Sequence, residues 1–224
     1  MTARRAMRLL LVAATLLMLV GITWALLAAP TEVFQGLPQR IMYLHVPAVI
    51  TAYSALLVVF AASALYLWTR QARWDRLAHG AAELAVLFIT ATLATGAIWG
   101  RPVWGTWWSW DARLTTTLIL WFIYVGYLIV RAWAPGSRGA RAAAVIGIVG
   151  VLDIPLIHWS AIVLRTLHPQ PTVFRPEGPA LPASMLPPLG INLAAFLLLF
   201  AALLLLRVRQ ERTLARLVER LEGA

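Results

Sequence analysis

The chain has 224 residues, 61% hydrophobic and only 12% charged, whereas soluble domains are roughly half apolar and a quarter charged; this composition excludes an ordinary soluble domain and points to an integral membrane protein built as a helical bundle. Cysteine is absent, which excludes thiol chemistry, structural disulfides and cofactors held through thioethers. The formal net charge is +10 and every basic residue is arginine, but the arginines cluster beside apolar runs, a pattern of topology control and lipid contact rather than of nucleic-acid binding.

Crossing the hydrocarbon takes roughly 20 apolar residues per helix. Six stretches qualify, at about Met7–Ala29, Val46–Trp68, Ala81–Trp99, Leu114–Ala132, Ala142–Leu164 and Pro188–Leu206. The first has the flanks of a signal peptide, with Arg4, Arg5 and Arg8 before it and Ala28-Ala29 at its end. Its apolar run exceeds the ~7–15 residues of a signal core, so it is expected to remain as a span. Fourteen arginines fall on one side: Arg4, Arg5, Arg8, Arg70, Arg73, Arg76, Arg131, Arg138, Arg141, Arg207, Arg209, Arg212, Arg216 and Arg220. Arg40, Arg101, Arg113, Arg165 and Arg175 make five on the other. The positive-inside rule then puts both termini in the cytoplasm. Segments 30–44, 100–113 and 165–187 face outward, the last with room for a short interfacial turn. The expected organisation is a membrane domain over residues 1–206 and a basic amphipathic cytoplasmic tail over 207–224. In that tail Leu214, Leu217, Val218 and Leu221 share one face, suited to the membrane surface or a partner.

Between the third and fourth spans runs Trp99-Gly100-Arg101-Pro102-Val103-Trp104-Gly105-Thr106-Trp107-Trp108-Ser109-Trp110-Asp111-Ala112-Arg113, which holds five of the eleven tryptophans. An interfacial aromatic belt is the ordinary explanation for one Trp, but belts do not concentrate five beside an acid and two arginines. Pro102 is expected to bar a helix at the start of the segment. If the chain coils again beyond it, Trp104, Trp107, Trp108 and Asp111 share one face at i, i+3, i+4 and i+7. The spacing then predicts a short amphipathic strip at the outer surface. Stacked indoles flanked by Arg101 and Arg113 suit a large, flat ligand carrying carboxylates.

His45 opens the second span and His168 follows the fifth, both at the level of this strip. Two neutral imidazoles on opposite faces of one ligand suit a haem iron. A hydrolytic metal site fits less well, since there is no His-Glu-x-x-His pattern and the outer acids are Glu32, Asp111 and Glu177. His158, ten residues before His168, is placed ~15 Å deeper by helix rise, with a structural role as its default. His79 is expected in a solvated loop and Glu83 near enough to the inner surface to be solvated. Asp153 lies at membrane depth beside Ile154-Pro155, where the proline is expected to kink the helix; a functional and a packing role are both open for it.

Trp104-Gly105-Thr106-Trp107-Trp108-Ser109-Trp110-Asp111-Ala112-Arg113-Leu114-Thr115 resembles the tryptophan-rich signature of the haem-handling membrane proteins of cytochrome c maturation. Within that group the chain resembles the CcmC family of haem exporters. Met42-Tyr43-Leu44-His45-Val46-Pro47-Ala48, Ile154-Pro155-Leu156-Ile157 and Thr166-Leu167-His168 add to the likeness, which covers all six spans. The resemblance implies a non-enzymatic protein of the bacterial cytoplasmic (inner) membrane that binds haem b on the periplasmic side. His45 and His168 would be the axial ligands, and Trp104, Trp107, Trp108, Trp110 and Asp111 would hold the macrocycle, with Arg101 and Arg113 for the propionates. It implies delivery to the haem chaperone CcmE, release of the loaded chaperone by the ATP-binding cassette components CcmA and CcmB, and assistance from the small membrane protein CcmD. Two other functions use similar residues: a bis-histidine cytochrome b that transfers electrons, and a synthase that attaches haem to apocytochrome c. A cytochrome b usually keeps its ligands well inside the spans, whereas both histidines here stand at span ends.

Overall fold

The structure is a computed structural model that describes residues 3–134, 136–164, 166–168, 173 and 175–222. It is all-helical, with no β-strand among the described residues. Six helical segments are long and apolar enough to cross a membrane: Arg5–Leu27, Leu37–Thr69, Ala72–Trp104, Ala112–Trp133, Gly136–Val163 and Ala183–Leu217. These are the six spans expected, most of them extended at both ends by polar turns that hydropathy alone does not count.

Helix α1 (Ala3–Leu27) ends where Arg40 reaches back to it. The guanidinium donates to Leu26 O, to Ala29 O at 3.0 Å and to Thr31 Oγ1 at 3.5 Å, satisfying carbonyls that a helix end leaves without partners. A 3-10 turn, Leu37–Ile41, leads into α2 (Met42–Thr69). Arg70, at φ 57°, closes α2 in the left-handed conformation and turns the chain into α3 (Ala72–Trp104). Helix α4 (Ala112–Trp133) follows the tryptophan-rich turn. The fifth span is two helices, α5 (Gly136–Gly150) and α6 (Asp153–Val163). Pro155 is the cause: in the first turn of a new helix its missing N–H costs nothing, whereas inside a continuous one it breaks the ladder. The expected kink is therefore a full break at Val151-Leu152. A 3-10 turn at Ala183–Met185 supplies the short turn allowed for within residues 165–187, and α7 (Leu186–Glu222) completes the bundle.

The core centres on the α2–α3 hairpin, where Ala52, Ala55, Ala81, Ala82 and Ala85 let the helices approach closely around Leu56, Val59, Phe88 and Ile89. Tyr124 and Tyr127 of α4 close one side, and the Tyr124 hydroxyl donates to Gly147 O at 2.9 Å. Helix α1 packs on α7, turning outward an apolar face that includes Leu9, Val12, Leu16 and Leu19.

At the end remote from the tryptophans, two expectations are corrected. His79 is not in a loop but on α3, with Nδ1 3.4 Å from Glu211 of α7. Glu83 is not simply solvated: Arg207 of α7 grips both of its carboxylate oxygens. Asp75 and Arg131, 3.0 Å apart, tie α3 to α4 at the same level. Each of these part-buried charges has an opposite charge within reach, which offsets part of the cost of taking it out of water. No backbone break separates Leu206 from Arg207: α7 runs 37 residues, about 55 Å by helix rise, well beyond the ~30 Å hydrocarbon.

Candidate functional site

The C-terminal end of α3 organises the site. Helix α3 runs through Pro102 to Trp104, so the expected break at the proline does not occur. Proline lies in the final turn, where only the bond to Ile98 O is lost, and Gly105 ends the helix three residues later at φ 77°, its N–H bonded to Arg101 O at 3.1 Å. Between Gly105 and Ala112 the chain is a turn and not a helix, which corrects the predicted amphipathic strip. The Thr106 hydroxyl donates to Trp108 O at 2.8 Å and offers helix formation a local rival. Asp111 then caps α4, Oδ1 accepting from Leu114 N at 2.9 Å. The tryptophans are thus splayed rather than aligned. Trp108 and Trp110 meet edge to face at 5.6 Å, Trp104 is part-buried, and Trp107 and Trp110 stand 59% and 76% exposed.

Both candidate histidines pack against this end of α3. His45, in the first turn of α2, sets its ring edge-on to Trp99 at 5.7 Å, with Nδ1 2.9 Å from the Thr95 hydroxyl. His168 lies edge-on to Trp104 at 6.1 Å, with Nδ1 2.8 Å from Arg113 Nη1. Two glycines one turn apart make the room. A Cβ on Gly96 would stand 3.2 Å from His45 Cε1, and one on Gly100 would stand 3.0 Å from the Trp104 ring. Gln35 of the loop between α1 and α2 accepts from Trp99 Nε1 at 2.9 Å and holds that loop against α3.

The acid and the two arginines of the motif do work that spacing did not suggest. Besides capping α4, Asp111 accepts from Leu167 N at 3.2 Å through Oδ2 and so tethers the segment that carries His168. Arg113 is 9% exposed, and its Nη1 lies 2.8 Å from His168 Nδ1. Arg101 is exposed and donates to Gly105 O, closing α3. Arg165 lies outside the described residues. His158 is exposed on α6, edge-on to Tyr53 at 5.6 Å. Since α6 ends at Val163, helix rise separates His158 from that end by only about 7.5 Å, less than the ~15 Å that an unbroken helix to His168 implies. Sequence reasoning passed over Thr95, Gly96 and Gly100; the signal available was their helical spacing, with Thr95 and Gly96 four and three residues before Trp99 and Gly100 four before Trp104.

The sequence profile described as "Heme exporter protein C" matches residues 1–222. The chain belongs to the CcmC family. Proteins with the name "Heme exporter protein C" are similar to it along most of both chains. That of Haemophilus influenzae is 40% identical over 195 residues, covering 86% of this chain and 78% of its own. That of Bradyrhizobium diazoefficiens is 40% identical over 202 residues, covering 90% and 77%. That of Escherichia coli K12 is 38% identical over 205 residues, covering 89% and 81%. The family likeness spans every helix described above, including the turn between α3 and α4.

Proposed function

We propose that this protein binds haem b at the outer face of the bacterial cytoplasmic membrane and hands it to a periplasmic haem chaperone during c-type cytochrome biogenesis. The observation that carries the reading is the approach of two imidazoles, from α2 and from the segment after α6, to two tryptophans of one helix end. Haem is flat, largely apolar and anionic at one edge, and this set of side chains offers nitrogen ligands, indole surface and arginine together. The residues fit the group in one further respect. The Trp108 indole N–H is buried and has no acceptor among the described residues, a donor suited to a ligand carboxylate or carbonyl. When bound, haem would supply the iron that His45 and His168 ligate. The protein's residues bind it, orient it and leave its edge reachable, since Trp107 and Trp110 are exposed. In this reading the cargo leaves unchanged and the protein is not an enzyme.

The partners are CcmE as acceptor, CcmA and CcmB as the ATP-driven pair, and CcmD as an accessory. The tail, residues 207–224, is the inner contact for such partners, with Leu214, Leu217 and Leu221 exposed along it. Both termini are cytoplasmic. Because the chain has no cysteine, single cysteines report the topology cleanly. Ser137→Cys should resist an impermeant thiol reagent applied from outside in intact cells, and Val33→Cys should react. Outside labelling of Ser137→Cys would overturn the orientation.

A ring resting on several indoles should lose something like 1–3 kcal/mol per aromatic removed, by analogy with base stacking. The double variant Trp107→Ala, Trp108→Ala is therefore expected to insert normally and lose most haem retention and chaperone loading. Normal loading would reduce the tryptophans to an interfacial belt.

A further inference from the structure

The hydrogen bonds around the two histidines are of opposite sense. A Thr hydroxyl has one proton, and that of Thr95 is committed to Ala91 O, 2.6 Å away, because a carbonyl can only accept. Toward His45 Nδ1, at 2.9 Å, the Thr95 oxygen is therefore the acceptor, and Nδ1 carries the hydrogen. The lone pair of that ring then lies on Nε2. At His168 the partner is a guanidinium, which only donates. Its Nη1 lies 2.8 Å from Nδ1, so Nδ1 accepts and a neutral ring carries its hydrogen on Nε2. An imidazole whose Nε2 is protonated cannot ligate a metal through that atom. His45 thus stands ready as a ligand, and His168 stands blocked.

We propose that His45 is the standing axial ligand and His168 the gated one, held out of coordination by Arg113 until a carboxylate of the incoming ligand draws the guanidinium away. This rests on the haem reading above and deepens it. A carboxylate is a stronger acceptor for Arg than a neutral imidazole nitrogen. Arg113 is 9% exposed, so the contact it gives up at His168 Nδ1 is replaced by one to the carboxylate. Proton balance is kept: Nε2 gives up one proton to solvent and Nδ1 takes one back, with no net change. Asp111, holding Leu167 N at 3.2 Å, keeps the His168 segment in place while Arg113 changes partner. Arg113 is a positioning residue in this scheme, and the asymmetry gives the cargo one firm and one releasable attachment, as delivery requires.

The test uses the full chain, purified free of haem in detergent, with ferric haemin as probe. Nitrogen-15 NMR of labelled histidine, assigned with His45→Gln and His168→Gln, should show the Nδ1–H tautomer at His45 and the Nε2–H tautomer at His168. On mixing with haemin, the wild type should form a five-coordinate spectrum first and a six-coordinate one more slowly. His168→Gln should keep only the first phase and His45→Gln should lose it. Arg113→Leu should speed the second phase by about tenfold, the scale of one charge-assisted hydrogen bond, and Arg113→Lys, still a donor, should leave it slow. A purely structural Arg113 would not distinguish leucine from lysine in this way. The Nδ1–H tautomer at both histidines, or a single-phase six-coordinate spectrum in the wild type, overturns the gate and leaves the haem reading standing. No histidine-dependent spectrum at all overturns the haem reading itself. If Arg113→Leu does not fold, the wild-type tautomers and the two phases decide the matter.

Discussion

The double variant His45→Ala, His168→Ala is expected to purify as a folded membrane protein that has lost the low-spin spectrum of haem held by two nitrogen ligands. Each single variant should give a five-coordinate or mixed spectrum, restored in large part by added imidazole, which fills the position the side chain has left. Neither ring is part of the main apolar cluster, which lies deeper, around Leu56, Phe88 and Tyr124. Removing either therefore costs contacts with Trp99 or Trp104 and not the bundle. His158→Ala is the control: that ring, on α6, touches Tyr53 of α2 and the spectrum should be kept. The measurement is absorption or magnetic circular dichroism in detergent. A wild-type spectrum from the double variant would remove both histidines from the site, and its loss in a folded His158→Ala protein would favour the cytochrome b alternative.

Asp111→Ala is expected to produce the second large effect. One carboxylate caps α4 through Leu114 N, accepts from the Ser109 hydroxyl at 3.3 Å and tethers Leu167 N. Loss of a helix cap costs about 1 kcal/mol, which a six-span bundle tolerates. Loss of the tether frees the segment carrying His168, so haem retention should fall by tenfold or more, roughly one charged hydrogen bond, while yield and helicity change little. Asp111→Asn keeps one carbonyl oxygen, enough for the cap and not for all three donors, and should fall between. Binding titration with ferric haemin, alongside thermal unfolding followed by circular dichroism, separates the two contributions. Equal losses of stability and binding in Asp111→Ala would mean that the residue acts through α4 alone.

The number of spans was legible from the sequence because hydropathy is a local, one-dimensional property: each helix in a bilayer must satisfy its own backbone and present its own apolar residues. The break in the fifth span was foreshadowed by Pro155 for the same reason. The tryptophan-rich turn was misread where two local signals competed. Trp104, Trp107, Trp108 and Asp111 have helical spacing, but Gly105 is a helix terminator and Asp111 a helix starter, and the caps prevailed because only five residues separate them. Pro102 was overrated as a breaker since its position in a last turn depends on where Gly105 ends the helix.

What only the tertiary structure decided is who touches whom. Arg113 and His168, like Asp111 and Leu167, come from α4 and from the chain beyond α6, and nothing in local sequence pairs them. Their meeting follows from how α4 and α6 pack. The same holds for His79, Glu83, Arg207 and Glu211, which hydropathy assigns to a loop, the start of the third span and the tail, and which the packing of α3 on α7 joins into one cluster. Residue types and their depth are written along the chain; the hydrogen-bond partner that sets a histidine's tautomer is not, because it arrives from a different helix.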